Sequence, residues 1–161
     1  MSALKRTMHI LCVTLFAVVS MQVSAQEQRP GYGPSVNIAT AKKIAAGVVA
    51  ECQSNKWNVA VSIVDTHGSL VYFERMEDTQ TASMDIAIMK ARAAATYRRT
   101  TRVFADVIAK SGPAIMTLPG AIASPGGVPI FVGGKVIGAV GVSGVTGDQD
   151  EQCAKAGLAA M

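Results

Sequence analysis

The sequence contains few of the residues from which metal and catalytic centres are usually built. Only two histidines and three cysteines occur among its 161 residues. His9 and Cys12 lie within the first 25 residues, so His67 is the single histidine beyond them. A histidine cluster for zinc is therefore excluded within one chain. A Ser-His-Asp triad would have to use His67, which lies in a predicted turn.

Motifs for nucleotides, calcium and nucleic acids are also missing. The C-terminal glycines recur every third residue and so do not form G-x-G-x-x-G, and Gly134-Lys135 lacks the following Ser or Thr of a phosphate loop. Asp148 and Asp150 lack the glycine and later ligands of a calcium loop. Nucleic acid is not an expected partner, because losing residues 1–25 reduces 15 basic residues to 13 against 11 acidic ones.

The first 25 residues have the pattern of a cleavable export signal. Lys5 and Arg6 precede a short apolar run over 10–19, and Val23-Ser24-Ala25 is a small-x-small cleavage site. The apolar run is too short to span a bilayer as a stable helix, so no membrane anchor is expected after cleavage. The sequence thus predicts a periplasmic or secreted protein, with a flexible Gly/Pro-rich leader over 26–35 and one domain over 36–161.

Cys52 and Cys153 remain after cleavage, and both lie on predicted helices. An oxidising compartment would allow them to pair, but neither their number nor their spacing indicates a disulfide framework. Because free cysteine is among the most buried residue types, we expect two separate buried thiols rather than a bridge.

Hydrophobic periodicity predicts four helices and two hairpins. The helices run over 38–54, around 84–95, over 103–110 and from about 147 to 161, and the strands over 59–65, 69–76, 128–132 and 135–143. Gly133-Gly134 is a two-residue hairpin signal, and Thr146 with Gln149 predicts a capping box. Without strand-helix-strand alternation, the order predicts an α+β fold, an antiparallel sheet of two hairpins with flanking helices.

Glycine is concentrated near the C-terminus, with eight glycines between Gly126 and Asp150. Glycine inside a strand gives up side-chain packing, so Gly138 and Gly141 predict close approach of a backbone, a helix or a flat ligand. Helix two, in which Ala and Met form the apolar face, and the small residues over 156–160 add further close-approach surfaces. Together they predict a homo-oligomer.

The same region resembles the GlcG/HbpS-like haem-binding family. The shared pattern is GGVPI from Gly126, a strand, GxxGVSG, an acidic turn and CAxAGLAA, and upstream runs begin at Val61, Phe73 and Ile86. The resemblance implies a single profilin-like or GlcG-like domain that forms dimers and binds haem. It also implies a role in haem sequestration or degradation.

Five positive charges and no acidic residue lie between Lys90 and Arg102. They fit either a solvated helix end or an anion clamp for haem propionates or a substrate carboxylate. Thr100 and Thr101 could cap the third helix or direct an oxygen towards a metal or substrate. The candidate cofactor-binding residues are therefore Arg75, Lys90, Arg98, Arg99, Thr100, Thr101, Gly126 and Gly127.

The iron ligand and the reaction stay open on the sequence alone. Besides His67 and a threonine oxygen, the possible ligands are Met76, Met84, Met89, Met116, Tyr72 and Tyr97. One competing function is a haem-independent isomerase or lyase that binds a small carboxylated metabolite and uses Glu74 or Asp65 for proton transfer. Another is a non-catalytic oligomeric assembly module.

The export signal leads to a direct prediction. We expect cleavage after Ala25, so that the mature protein begins at Gln26. Intact-mass analysis of periplasmic or secreted material checks this. An exported chain that still begins near Met1 would contradict it.

Overall fold

The computed structural model describes residues 29–161, so the predicted export signal lies outside the described residues. The elements in this part of the chain are α1 (Ile38–Ser54), β1 (Ala60–Val64), β2 (Leu70–Arg75), α2 (Ser83–Tyr97), α3 (Arg102–Ser111), a 3-10 helix (Pro113–Thr117), β3 (Gly127–Val132), β4 (Lys135–Ser143) and α4 (Gly147–Ala159). Among these helices, none combines the length and apolar character needed to cross a membrane.

The four strands form one antiparallel sheet in the order β2-β1-β4-β3. Each hairpin pairs neighbours in sequence, and β1 pairs with β4 at the centre. Gly133 and Gly134 turn the second hairpin with φ values of 56° and 74°, which glycine adopts without a Cβ penalty. The predicted capping box of α4 forms as expected between Thr146 and Gln149. The predicted α+β fold is confirmed.

Helices cover both faces of the sheet, and the two faces differ in side-chain size. Helices α1 and α4 pack on the face with the larger side chains, which are Val61, Ile63, Val128, Ile130, Val140 and Val142. Helix α2 packs on the other face, where the strands present mainly small residues, among them Ala60, Ser62, Ala139, Gly141 and Ser143. The small face lets α2 lie close to the strands.

Gly141 is a point of close approach between α2 and the sheet. A Cβ at this position would lie 2.5 Å from the Ala91 nitrogen and would also collide with the Ala87 carbonyl oxygen. The close approach predicted at Gly141 is therefore confirmed, and a helix of the same chain makes it.

Helix α2 buries alanines as expected, but Met89 is 48% exposed. Since Gly141 serves packing within one chain, it gives no support to the homo-oligomer, which stays a prediction.

The predicted flexible leader is hydrogen-bonded to β4 from Gly31 onwards. Strand β1 pairs with β4 only from Ala139, which leaves the start of β4 without a partner on that side. The leader fills this position: the Val136 amide donates to the Gly31 carbonyl at 2.9 Å, and the Gly33 amide donates to the Val136 carbonyl at 2.8 Å. This part of the leader belongs to the folded domain.

Cys52 and Cys153 form a disulfide between α1 and α4, with Cα atoms 5.8 Å apart. The expectation of two separate thiols was wrong. The two helices pack closely because Gly157 of α4 lies against Ile44 and Val48 of α1, and this packing brings the cysteines together. The bridge spans a sequence separation of 101 residues. In the chain-entropy model a loop of this size contributes roughly 4 to 5 kcal/mol of stability.

The close approach at Gly141 predicts a large effect of a small change. Gly141→Ala should lower the free energy of unfolding by about 1 to 3 kcal/mol or more, because the new methyl group meets helix backbone that cannot move freely. Gly31→Ala is the control, since no atom lies within 4 Å of a Cβ there. Urea denaturation measures both. Equal stability of the two variants would contradict this packing.

Candidate functional site

A cleft of about 400 Å³ lies at the C-terminal end of α2. Three arginines and a set of mainly apolar residues line it: Arg29, Thr96, Tyr97, Arg98, Arg99, Phe104, Ile115 and Leu118. We call it the arginine cleft. Its residues come from the leader, the end of α2, the start of α3 and the 3-10 segment, so the fold assembles it from four stretches of sequence.

The end of α2 explains why two arginines reach this cleft. Arg98 has φ 54° and ψ 42°, a left-handed conformation that stops the helix and redirects the chain. Arg99 follows at once, and its amide still donates to the Ala94 carbonyl at 3.3 Å. Beneath them the rings of Tyr97 and Phe104 meet edge to face, with centroids 5.2 Å apart. The cleft thus combines an aromatic wall with adjacent cations.

Hydrogen bonds hold the arginines of the leader and the helix end in place. Arg29 Nη1 donates to the Tyr97 carbonyl at 3.0 Å, and Arg98 Nη1 donates to the Pro30 carbonyl at 2.9 Å. The Arg98 guanidinium also lies over the Tyr32 ring, 5.2 Å from its centroid. Within residues 29–161, no carboxylate lines the cleft and none of its arginines forms a salt bridge. An anionic ligand would therefore meet no competing charge there.

Four other predicted binding residues come together, but in a buried junction. Lys90 is 1% exposed, and its Nζ donates to Asp150 Oδ2 at 2.7 Å and to the Val142 carbonyl at 3.0 Å. Gly126 lies directly against this ion pair, because a Cβ there would be 3.0 Å from Lys90 Nζ. Gly127 packs against the Lys90 backbone. The junction therefore joins α2, β3 and α4.

Thr101 completes the junction, and the expectation that it caps α3 was wrong. Its hydroxyl donates to the Ser124 carbonyl at 2.7 Å and accepts from the Gly127 amide at 3.0 Å, and it makes no capping bond to α3. Thr101 is fully buried. Thr100 is half-buried at the same turn, where its carbonyl accepts from the Val103 amide.

The basic cluster of the sequence divides into paired and unpaired cations. Lys90 pairs with Asp150, and Arg102 pairs with Asp148 and Glu151. Burial raises the pKa of the Asp150 carboxyl, while Lys90 acts in the opposite direction. These acids lie 46 to 60 residues from their partners, and no local pattern in the sequence indicates such pairs. Arg92 donates to the Gly68 carbonyl at 3.1 Å and does not line the arginine cleft. The anion clamp is thereby reduced to Arg98 and Arg99, joined by Arg29.

Arg75 lies apart from the arginine cleft. It lines a second cleft of about 540 Å³ at the end of β2, together with Val49, Gln53, Lys56, Asn58, Glu74, Met76, Glu77 and Asp78. The Tyr72 hydroxyl donates to Glu74 at 2.9 Å, and this hydrogen bond, with burial and the nearby charge, raises the pKa of Tyr72. The second cleft is thus polar and contains both signs of charge.

His67 opens onto a third cleft of about 430 Å³, lined by Tyr32, Gly33, Thr66, His67 and Thr96. We call it the histidine cleft, and it shares Thr96 with the arginine cleft. Asp65, a candidate proton-transfer group, accepts from the His67 and Ser69 amides at 2.8 Å and so shapes this turn. Residues 29–161 contain no group of three or more His, Cys, Asp or Glu placed to hold a metal ion.

Sequence reasoning missed the contribution of the leader to these clefts. Arg29 and Tyr32 lie in a stretch whose Gly and Pro content indicated flexibility. Tyr32 was an available signal, because tyrosine combines an apolar ring with a hydroxyl that can hydrogen-bond to neighbouring backbone. Its hydroxyl in fact donates to the carbonyls of Ala95 and Thr96, at 3.1 and 3.0 Å.

The fold and its clefts define a single α+β domain with a cationic, partly apolar cleft. Residues 36–159 match the family described as haem degrading protein HbpS-like. The chain belongs to this HbpS-like family.

Individual relatives agree with this assignment. Protein GlcG of Escherichia coli strain K12 is 38% identical over 110 residues, which cover 66% of this chain and 82% of GlcG. The crystal structure of a double mutant of HbpS from Streptomyces reticuli is similar with a TM-score of 0.73 at 30% identity, covering 79% of this chain and 87% of that one. The structure of the PduOC haem complex has a TM-score of 0.72 at 27% identity, covering 79% and 95%.

The buried ion pair predicts a strong asymmetry between breaking and replacing it. Asp150→Asn should lower the free energy of unfolding by about 3 to 5 kcal/mol, because the Lys90 ammonium stays buried without a counter-charge. Lys90→Met combined with Asp150→Leu should lower the free energy of unfolding clearly less than the sum of the two single changes.

Lys155→Met is the matched control in urea denaturation. The Lys155 side chain is 63% exposed in its ion pair with Glu151, and surface ion pairs contribute about 0 to 1 kcal/mol. If Asp150→Asn lowered the free energy of unfolding no more than Lys155→Met, the stability of the junction would not depend on the pair of Lys90 and Asp150.

Proposed function

We propose that the protein binds haem through the arginine cleft. The observation that carries this proposal is the meeting of three arginines with the side chains of Tyr97, Phe104, Ile115 and Leu118, without any carboxylate in the lining. Haem has the same division of chemistry, with a flat apolar ring and two propionates at one edge. Arginine suits propionates because its planar fork can donate two hydrogen bonds to one carboxylate.

The residues present fit such a ligand. Tyr97, Phe104, Ile115 and Leu118 would hold the ring by apolar contact, while Arg98 and Arg99 would bind the propionates and Arg29 would close the leader side. When bound, haem supplies iron for oxygen and redox chemistry. The chain's own part is to orient the ring and to keep its polar edge at the arginines.

The family adds independent support. The family description names haem degradation, and PduOC has been solved with haem. We therefore propose haem sequestration or degradation as the role of this chain. Binding at an open cleft would favour exchange of haem over permanent retention as a buried redox group.

We also propose that the protein acts in the periplasm or outside the cell. Besides the export pattern of residues 1–25, the disulfide between Cys52 and Cys153 supports this location. Disulfides persist in oxidising compartments and are rare in the reducing cytosol.

A second candidate function uses the second cleft. Arg75 and Lys56 lie beside Glu74 there, so one cleft contains cations for a substrate carboxylate and a carboxylate for proton transfer. A small carboxylated metabolite would be the substrate of such a haem-independent isomerase or lyase. Turnover by haem-free protein that is abolished by Glu74→Gln would favour this function.

The haem proposal predicts which arginines matter. Arg98→Ala with Arg99→Ala should weaken haemin binding by about 1 to 3 kcal/mol, or roughly 5- to 150-fold in Kd, through loss of charge-assisted bonds to the propionates. Haemin titration followed by the Soret band measures this.

Two further variants sharpen the titration. Arg99→Ala alone avoids disturbing the leader, because the contacts of the Arg98 side chain with Pro30 and Tyr32 stay intact. Arg75→Ala removes a similar charge from the separate second cleft and should leave the affinity unchanged. If only Arg75→Ala lowered the haemin affinity, the haem site would be assigned to the second cleft. If none of the variants lowered the affinity, the arginine cleft would not be the haem site.

A further inference from the structure

We propose that the second cleft binds a basic α-amino acid, a small molecule with one carboxylate and two cationic groups. This inference is independent of the haem function. It rests on the second candidate function only in sharing its cleft, and it names a ligand for that cleft. It follows from the charges of the lining, from the partners that these charges lack, and from the backbone that presents them.

The lining of the second cleft contains charges of both signs in unequal number. Its acidic side chains are Glu74, Glu77 and Asp78, and its basic ones are Lys56 and Arg75. Three negative charges against two positive ones leave a formal charge of −1. A ligand with one negative and two positive groups complements this lining in both sign and number.

None of these five side chains is neutralised by a neighbour within residues 29–161. The salt bridges of this part of the chain join Lys90, Arg102 and Lys155 to acids of α4, away from the second cleft. The Arg75 guanidinium instead contacts the Met84 sulfur, 3.9 Å from Nη1. A ligand would therefore bind the charges of the cleft without first breaking an ion pair.

Glu74 is held in one orientation by its neighbour in β2. The Tyr72 hydroxyl donates to Glu74 Oε2 at 2.9 Å, and Tyr72 itself packs against the hydrophobic core. Glu74 is half-buried, whereas Glu77 and Asp78 are exposed. Because the bond from Tyr72 uses Oε2, Glu74 Oε1 can accept from an ammonium group. A side chain that is already oriented loses little conformational freedom on binding.

The backbone at the cleft has a conformation that glycine would adopt at lower cost. Lys56 and Asp78 have φ values of 60° and 58°. Lys56 follows the end of α1, where its amide donates to the Gln53 carbonyl at 3.0 Å. Within residues 29–161 the third non-glycine residue with positive φ is Arg98, which lines the arginine cleft. Such conformations cluster at ligand sites, and all three lie at a cleft.

The second cleft also has room and apolar surface for a carbon chain. Its volume of about 540 Å³ lies within the range of roughly 300 to 1,000 Å³ that is typical of small-molecule sites. Val49 and Met76 supply apolar surface, and the amides of Gln53 and Asn58 can both donate and accept hydrogen bonds. The methylene groups of L-lysine would lie against Val49 and Met76, with the charged groups at the charged side chains.

Calorimetric titration of haem-free protein with matched ligands tests the inference without mutation. L-lysine has all three charged groups. Cadaverine lacks the carboxylate, L-norleucine lacks the side-chain ammonium group, and 6-aminohexanoate lacks the α-ammonium group. We expect L-lysine to bind at least about tenfold more tightly than each of the others, because each of them loses charge-assisted hydrogen bonds. No binding of L-lysine at about 10 mM, or equal affinity for any of the other three, overturns the inference.

Variants assign the binding to the second cleft. Arg75→Gln should weaken L-lysine binding about tenfold or more, but should not weaken binding of cadaverine, which has no carboxylate. Glu74→Gln should weaken binding of both. Lys42→Gln and Asp106→Asn are the controls, since each removes an exposed charge that lines none of the three clefts. Both controls should keep the affinity for L-lysine unchanged.

The outcomes separate this inference from the two proposed functions. If L-lysine binds but neither Arg75→Gln nor Glu74→Gln weakens it, the ligand lies elsewhere and the inference fails. If L-lysine does not bind, the inference also fails, but turnover of a carboxylated metabolite without ammonium groups would still support the second candidate function. The Soret titration decides the haem function independently.

Circular dichroism shows whether each variant keeps its fold. If a variant is unfolded, the comparison of the four ligands on unmodified protein decides the inference.

Discussion

The buried ion pair of Lys90 and Asp150 holds α2 at one position relative to the rest of the domain. Two charges in a low-dielectric interior gain little net stability over a well-packed apolar pair, but an unpaired partner is strongly unfavourable. The pair therefore acts mainly as a positional constraint. It selects the arrangement in which Lys90 reaches past Gly126 to the first turn of α4. Arg98 lies two helical turns further on, about 12 Å along the axis, so the same constraint determines where the cleft arginines emerge.

Gly126, Gly127 and Gly141 make this arrangement possible. Each lies where a side chain would collide with α2 or with the ion pair. The glycine-rich C-terminal region thus serves mainly to allow close packing of α2, and the arginine cleft forms at the end of that helix. The glycines at the junction and the residues that line the arginine cleft are consequently different sets of residues, although they are neighbours in sequence and space.

The parts of the structure that could be predicted from the sequence are those specified by local patterns. The hairpin at Gly133-Gly134, the capping box at Thr146 and the apolar face of α1 each depend on residues within a few positions of one another, and they were correct. Contacts between distant segments were not accessible. The pairing of Arg102 with α4 and the disulfide of Cys52 with Cys153 depend on how the helices pack. No local pattern in a single sequence specifies that packing.

The candidate site shows the same division. Arg98 and Arg99 were identified because charge density is visible in sequence, whereas the neutralisation of Lys90 and Arg102 by α4 was not. The cleft also required the leader, whose composition indicated flexibility. Tyr32 and Arg29 are fixed at the end of α2 by hydrogen bonds to backbone carbonyls. These carbonyls can accept the bonds because the last carbonyls of a helix have no partner within it.

The attachment of the leader to the end of α2 has a practical consequence for handling the protein. Arg29 is itself part of the arginine cleft, so any sequence fused ahead of it begins at the mouth of the proposed binding site. An amino-terminal polyhistidine tag would place foreign imidazoles beside the proposed haem site, where they would compete for the iron of added haemin. The carboxyl terminus follows α4, which packs on the opposite face of the sheet from α2. An affinity tag at that end leaves the spectroscopy of the cleft undisturbed.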